Sequence, residues 1–439
     1  MKVKLLVGLL LISLQGIANN SSDSFWSEKW KEATANYDNS DNNYQTMLHN
    51  HNWHYKNRQL LHESAQDYLF QLETQNAYYV DPELEDYLYQ LIYQIHPNVF
   101  PKQQKVHLNV KMIKSAIPEA FSFTNGTILI STGMLSLLQS EDELIAILAR
   151  EIAHLTLDHN VKEYTALQTK KTISTIIGTG LYVASTVNSL DKGDNFWEAD
   201  YLGSVVGAGS ELLSYGLLSA LGVGYNRSRT YEADKIAQEW MINNQRNPYA
   251  LPQAIRRLQF FELQQRGTSL ALDDNRFFLT NRFKNIVNKR KSKLKLSEFN
   301  SGIIDINYDT KISDCLKTTS KLLVADEMYT EAIPYLNRSI ESNWTAGETY
   351  LLKAIAMRHT KYSNTDNQTM LSLLEKAKEN AIIDLPWIWS EEGIIQLRLK
   401  EDDKALGAFT KFEEFFSAEQ SPTAFWARKM IAKLNKKIN

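Results

Sequence analysis

The sequence contains a single cysteine, Cys315, among its 439 residues. One thiol cannot form a disulfide within the chain, so packing must stabilise the fold even in an oxidising compartment. No signature of a cysteine nucleophile surrounds this residue. We therefore expect Cys315 to be a small buried apolar side chain.

An excess of charge of either sign is also missing. The chain carries 48 basic and 51 acidic residues, which gives a net charge of −3. Proteins that bind nucleic acid usually present a strongly basic surface, so a nucleic-acid partner is excluded. One basic run, residues 284–295, is more typical of a solvated helix face or linker than of a surface for an acidic partner or lipid.

Long uninterrupted apolar runs are missing as well. The amino-terminal run, Leu5 to Leu14, is too short for a bilayer span of about 20 residues. It follows Lys2 and Lys4 and precedes small residues that end at Ala18. This pattern predicts a secretory signal peptide over residues 1–18, cleaved after Ala18.

A second apolar segment, residues 165–225, is rich in glycine, alanine and serine and contains Glu211. Its glycines and this carboxylate interrupt any membrane-spanning pattern. Closely packed helices beside a cleft are therefore favoured, as a lid or a hairpin, and membrane contact is the less favoured alternative.

The rest of the amino-terminal half divides into a polar leader, residues 19–63, and a domain over residues 64–300. Asp81-Pro82 is typical of a helix start, and the apolar stripe behind it consists of Leu84, Leu88, Leu91 and Ile95. Val106, Leu108, Val110 and Met112 alternate as in a strand. Asn125-Gly126 between two apolar runs predicts a β-hairpin, followed by helices over 133–138 and 141–159.

Residues 311–439 have a different character. The stretches "YTEAIPYLNRSIESN" and "DDKALGAFTKFEEFF" share alanine, leucine and aromatic positions. Their spacing predicts helix-turn-helix units close to the tetratricopeptide length of about 34 residues. A non-repeating helical bundle is the alternative, and we expect this region to be separable from the rest.

The pattern with most chemical content is Arg150-Glu151-Ile152-Ala153-His154. Two histidines four residues apart lie on one helix face and can bind one zinc ion, while the glutamate beside the first activates the metal-bound water. Here His154 and the general-base position, Glu151, are retained. Arg150 replaces the first histidine, and a guanidinium has no lone pair to donate.

Two stretches, "IPEAFSFTNGTILISTGMLSLLQSEDELIAILAREIAHLTLDH" and "GYNRSRTYEADKIAQEWM", resemble zinc endopeptidases of the HtpX and CAAX-prenyl-protease type. The resemblance covers roughly residues 80–260. It implies a mainly α fold with a small β-sheet and hairpin, that is, an α+β zincin-like metalloprotease domain, here followed by an α-helical tetratricopeptide-like repeat domain.

In that family the third zinc ligand is a glutamate four residues before the aspartate of Glu-Ala-Asp. Counting back from Asp234 places Thr230 at this position, so a second ligand is lost. We interpret Asp234 and His159 as residues that support the former ligands. Glu232 lies about 200° from Thr230 around a helix, so we expect it to point away from the site.

A signal peptide with a helical-repeat tail resembles the periplasmic branch typified by the β-barrel-assembly-enhancing protease. The resemblance implies a secreted protein of the bacterial periplasm. Its partners would be envelope proteins or unfolded polypeptide, held by the cleft and the repeat tail during envelope assembly or quality control.

Three hypotheses follow for the chemistry. The favoured one is a pseudo-protease without a cofactor; the second is an active zinc endopeptidase with unusual coordination. A metal-free hydrolase that uses Glu151 and His154 is the third. Because a buried guanidinium needs a partner, we predict that Arg150 lies within salt-bridge distance of Glu151 or Asp234. The arginine would then replace the charge of the ion.

Overall fold

The computed structural model describes residues 52–95, 108–168, 202, 227–265, 306–342, 346–416 and 421–438. The predicted signal peptide, most of the polar leader, nearly all of the segment 165–225 and the basic run 284–295 lie outside these residues. Within the described residues, no helix is long and apolar enough to cross a membrane.

The described elements of the amino-terminal part begin with helices α1 (Asn52–Thr74) and α2 (Pro82–Ile95). Strands β1 (Asn109–Ile113), β2 (Ala120–Ser122) and β3 (Thr127–Ser131) follow. The next helices are α3 (Thr132–Leu137), α4 (Glu141–Thr156), α5 (His159–Gln168), α6 (Arg227–Asn243) and α7 (Ala250–Gln265).

The described residues of the carboxy-terminal part form helices joined by turns, without a strand. Its helices are α8 (Ile306–Lys311), α9 (Ser313–Ala325), α10 (Tyr329–Glu341), α11 (Gly347–Thr360), α12 (Asn364–Glu379), α13 (Trp387–Arg398), α14 (Asp402–Phe415) and α15 (Pro422–Ile438).

The small sheet has the strand order β1-β3-β2. Strand β1 pairs with β3 in parallel, and β2 pairs with β3 antiparallel through the predicted hairpin. Gly126 turns the hairpin with a φ of 87°, a conformation that residues other than glycine rarely adopt. Of the four residues predicted to alternate in the first strand, Val110 and Met112 are buried within β1 as expected, whereas Leu108 precedes the strand and Val106 lies outside the described residues.

The predicted start of α2 is confirmed, because the Asp81 carboxylate accepts the Leu84 N–H at 3.0 Å. Two predicted boundaries differ from the structure. Helix α1 begins at Asn52, inside the predicted leader, and the predicted helix 141–159 ends at Thr156. Asp158 adopts a left-handed φ of 56°, which an α-helix cannot contain, so a new helix starts at His159.

Helix α4 lies at the centre of the first hydrophobic core. Its residues 144–149 are all buried, as in a helix surrounded by other elements. Apolar side chains from α2, β1, β3, α3, α6 and α7 complete this core. Tyr308, Ile312, Cys315 and Leu316 of the carboxy-terminal part also belong to it, so a cut at residue 311 would divide the core.

The second core belongs to the carboxy-terminal helices. Helices α11 and α12 pack as a pair, as do α13 and α14, and each pair contacts the next. This helical region fits a repeat-like domain and, with the small sheet, confirms the predicted fold class. The tetratricopeptide assignment and the domain boundaries stay predictions.

Arg338 joins the two parts of the chain. Its Nη2 donates to the Leu138 carbonyl at 2.8 Å, and its Nε donates to an Asp309 oxygen at 3.0 Å. The Tyr308 hydroxyl donates to the Leu135 carbonyl at 2.7 Å. The last carbonyls of a helix lack partners within that helix. Side chains of the carboxy-terminal helices therefore donate hydrogen bonds to the backbone carbonyls at the end of α3.

Candidate functional site

Helix α4 positions the retained residues of the zinc-protease pattern. The Ser140 hydroxyl caps the helix by accepting the Glu143 N–H at 3.2 Å. From there the helix is regular to Thr156, so Arg150 and His154 lie one turn apart on one face. Helix α6, which carries the second signature, packs along α4 and completes the site.

Arg150 pairs with two buried carboxylates. Its Nη1 donates to Glu151 Oε1 at 2.7 Å, and its Nε lies 3.5 Å from Asp234 Oδ1. The Arg150 side chain is 15% exposed, whereas those of Glu151 and Asp234 are 1% and 2% exposed. The predicted salt bridge is thus confirmed with both partners. The guanidinium supplies a fixed positive charge between the two acidic groups.

The second oxygen of Glu151 is also engaged. The Ser122 hydroxyl, at the end of strand β2, donates to Glu151 Oε2 at 3.2 Å. Both carboxylate oxygens therefore accept hydrogen bonds from this chain.

Thr230 lies on the face of α6 that is turned towards the core. Thr230, Asp234 and Gln238 are spaced by one helical turn, and all three are buried. The counting that places Thr230 at the third ligand position therefore puts it on the same buried face as Asp234. A neutral hydroxyl at this point is a poor zinc ligand.

His154 and His159 form a direct contact. Their Nδ1 atoms are 2.9 Å apart, and both rings are fully buried. In one continuous helix, residues five apart would point about 140° away from each other. The break at Asp158 instead brings His159 into contact with His154.

Glu232, which we predicted to point away from the metal-ligand positions, is 54% exposed and reaches His159. Its Oε2 lies 3.3 Å from His159 Nε2, since the long side chain reaches around the surface of α6. Burial lowers the pKa of His159 to about 4, and the neighbouring Glu232 opposes this shift in part. His159 is therefore neutral at neutral pH, and a proton on its Nε2 can be donated to Glu232.

This tautomer of His159 determines which ring nitrogen of His154 carries the proton. With the proton on His159 Nε2, the His159 Nδ1 accepts, and His154 must donate from its own Nδ1. The other nitrogen of His154, Nε2, then carries its lone pair.

The donor set nevertheless does not fit zinc. A catalytic zinc site needs three protein ligands, and Arg150 and Thr230 stand at two of the three positions. The Arg150 cation faces the same carboxylates that a metal ion would attract. Across the described ranges, no group of three or more His, Cys, Asp or Glu side chains is arranged to hold a metal ion.

Two contributors to the site were not predicted. Ser122 binds Glu151 through its hydroxyl, and its carbonyl accepts a hydrogen bond from Asn160 Nδ2 at 2.7 Å. Neither residue belongs to a motif for metal binding. In the sequence, only the predicted hairpin pointed to Ser122, because it places this residue at the end of a strand.

A comparison with protein-family models matches the part of the chain that contains the candidate site. The chain matches the model of Peptidase family M48 over residues 82–301, which is half of its length. No curated protein matched the sequence. The matched range contains the hairpin, α4 with Arg150, Glu151 and His154, and α6 with Thr230 and Asp234. The chain therefore belongs to Peptidase family M48, a family of metallopeptidases.

Proposed function

We propose that this chain is a non-catalytic member of its family that acts by binding polypeptide. The observation that carries the proposal is the pairing of the Arg150 guanidinium with Glu151 and Asp234. It places a permanent cation where a catalytic member needs a metal ligand. The expected location is the bacterial periplasm, where the protein would act in envelope protein assembly or quality control.

The state of Glu151 supports the loss of catalysis. A general base must hold a free lone pair towards the attacking water, within hydrogen-bond reach. Each oxygen of Glu151 keeps a further lone pair, but one oxygen is held by the Arg150 guanidinium and the other by the Ser122 hydroxyl, so the carboxylate is oriented by this chain's own side chains. Peptide hydrolysis also needs an activated water, and these residues give a metal no complete ligand set to activate one.

The helical region supports a binding role. Repeat-like helical arrays present extended surfaces for partners. The short loop between α12 and α13 exposes two adjacent isoleucines, Ile382 at 93% and Ile383 at 72%. Two adjacent isoleucines with this exposure offer a small apolar surface that an unfolded polypeptide can cover. We assign polypeptide binding to this loop and the helices beside it.

The catalytic part of the proposal is tested with casein as substrate. We expect no cleavage that a chelator inhibits, from either the wild-type protein or a Glu151→Gln variant. A genuine metallopeptidase would lose activity in both the chelator and the Glu151→Gln experiments. Chelator-sensitive turnover abolished by Glu151→Gln would instead support the alternative, an active zinc endopeptidase with unusual coordination.

The binding part is tested with fluorescein-labelled β-casein, an unfolded polypeptide, by fluorescence anisotropy. We expect wild-type protein to bind it and Ile382→Asp/Ile383→Asp to weaken binding about tenfold or more, because each buried isoleucine contributes roughly 1.5–3 kcal/mol. Val80→Asp is the matched control, since Val80 is 80% exposed in the amino-terminal part. Equal losses in both variants, or no loss in the first, would refute the assignment to the loop.

A further inference from the structure

Helix α15 carries an excess of positive charge. Its sequence, PTAFWARKMIAKLNKKI, contains one arginine and four lysines but no acidic residue, although the whole chain has a net charge of −3. Trp426, Ala427 and Leu434 of this helix are buried in the second core. All of its basic side chains are exposed, so the charge lies on the faces that are turned away from that core.

Two of the basic residues form ion pairs with α14. Arg428 Nε lies 2.9 Å from Glu413 Oε1, and Lys437 Nζ lies 2.6 Å from Asp402 Oδ2. These two pairs offset charge along the boundary between α14 and α15. They leave three lysines on the outer face of the helix.

These three lysines, Lys429, Lys433 and Lys436, form a row with Phe425. Within the described part of the chain, none of their ammonium groups is paired with a carboxylate. At 100° and 1.5 Å per residue, the four side chains fall within a sector of about 80° and extend about 17 Å along the helix. Phe425, at one end of the row, is 71% exposed. We call these four residues the α15 stripe.

We propose that the α15 stripe docks the protein onto an anionic phospholipid surface. A lysine within a Debye length of such a surface is attracted by the negative potential, which raises the affinity about fivefold. Three lysines then contribute on the order of 100-fold, and the ring of Phe425 inserts between the headgroups. This inference goes beyond the proposed polypeptide binding and does not depend on it.

The geometry favours a lipid surface over an acidic polypeptide. The stripe is a straight row on a convex helix, so all of its members can reach a flat layer of phosphate groups together. Its cations are lysines, which act as point charges and lack the forked donors with which arginine fixes a single carboxylate. An exposed phenylalanine beside lysines is also typical of helices that lie at a membrane interface.

The test measures cosedimentation of full-length protein with lipid vesicles. Vesicles of equal parts phosphatidylglycerol and phosphatidylcholine supply the anionic surface, and vesicles of phosphatidylcholine alone measure binding by apolar segments elsewhere in the chain. We expect Lys429→Gln/Lys433→Gln/Lys436→Gln to lower the ratio of anionic to neutral binding at least about tenfold. Salt at about 1 M, where the Debye length is about 3 Å, is expected to have a similar effect on the wild-type protein.

The matched control is Lys56→Gln/Lys361→Gln/Lys376→Gln. It makes the same change in net charge at three exposed lysines outside α15 and is expected to keep the wild-type ratio. All of the substituted lysines are exposed, so we expect both variants to fold as the wild type does, which circular dichroism verifies.

Phe425→Ala separates the lipid surface from an acidic polypeptide. We expect this variant to bind anionic vesicles about threefold or more weakly and to bind polyglutamate as the wild type does. Tyr93→Ala is its control, because Tyr93 is 70% exposed on α2.

Three results would overturn the inference. The first is a wild-type protein that binds anionic vesicles no better than neutral ones. The second is an equal loss of vesicle binding in the two lysine variants, or no loss in the α15 variant. The third is vesicle binding that polyglutamate abolishes and Phe425→Ala leaves unchanged, which would assign the stripe to an acidic polypeptide.

Discussion

The double variant Arg150→His/Thr230→Glu is expected to bind zinc at least about 1,000-fold more tightly than the wild-type protein, a difference of about 4 kcal/mol. The first change removes a guanidinium that is paired with Glu151 and Asp234 and adds an imidazole one turn from His154. The second adds a carboxylate on the buried face of α6. Three ligands then replace one, which is the number that a catalytic zinc site requires.

Competition with a chromophoric chelator measures the zinc affinity. Arg150→Gln is the matched control, because it removes the positive charge and supplies no ligand. The two single variants, Arg150→His and Thr230→Glu, are expected to fall between it and the double variant. If the double variant binds zinc no better than Arg150→Gln, then positions 150, 154 and 230 do not converge on one point.

Arg338→Ala is expected to lower the free energy of unfolding by roughly 3–5 kcal/mol, as removal of one partner from a buried ion pair does. Arg338 pairs with Asp309 and also donates to the Leu138 carbonyl. Its loss leaves a buried carboxylate and the end of α3 without their donor. Urea denaturation followed by circular dichroism measures the change.

Arg428→Ala is the matched control for that experiment. Arg428 also pairs with one carboxylate, Glu413 at 2.9 Å, but its side chain is 45% exposed. An exposed pair contributes about 0–1 kcal/mol, so we expect a loss within that range. Similar losses for the two variants would show that Arg338 does not hold the two parts of the chain together.

The sequence predicted those features of the fold that depend on local patterns. The start of α2 at Asp81-Pro82, the hairpin at Asn125-Gly126 and the burial of Cys315 are all confirmed. Each follows from a short stretch whose residues favour one backbone conformation or one environment. The mainly helical fold with a small sheet was an implication of the family resemblance, and the structure confirms it.

Features set by contacts distant in sequence were not predictable. The packing of Ile312 and Leu316 into the first core, for example, joins residues far apart in the chain and has no local signature in the sequence. The break at Asp158 was missed because the apolar period continues through it. That break determines the geometry of the site, because it brings His159 into contact with His154 and Asn160 into contact with Ser122.

The chemistry of the candidate site was predicted in part. Arginine cannot donate a lone pair, so the loss of a ligand at position 150 follows from residue type alone. The pairing of Arg150 with Glu151 follows from the cost of a buried charge, and the structure confirms it. The contact of Glu232 with His159 was missed, because a helical angle describes a Cβ direction and not the reach of a long side chain.

The zinc content of the full-length protein, purified without chelator and measured by inductively coupled plasma mass spectrometry, tests the central claim most directly. Because Arg150 and Thr230 occupy two ligand positions, we predict no stoichiometric zinc, and no change in zinc content on His154→Ala. About one tightly bound zinc ion per chain, lost on His154→Ala, would contradict the account.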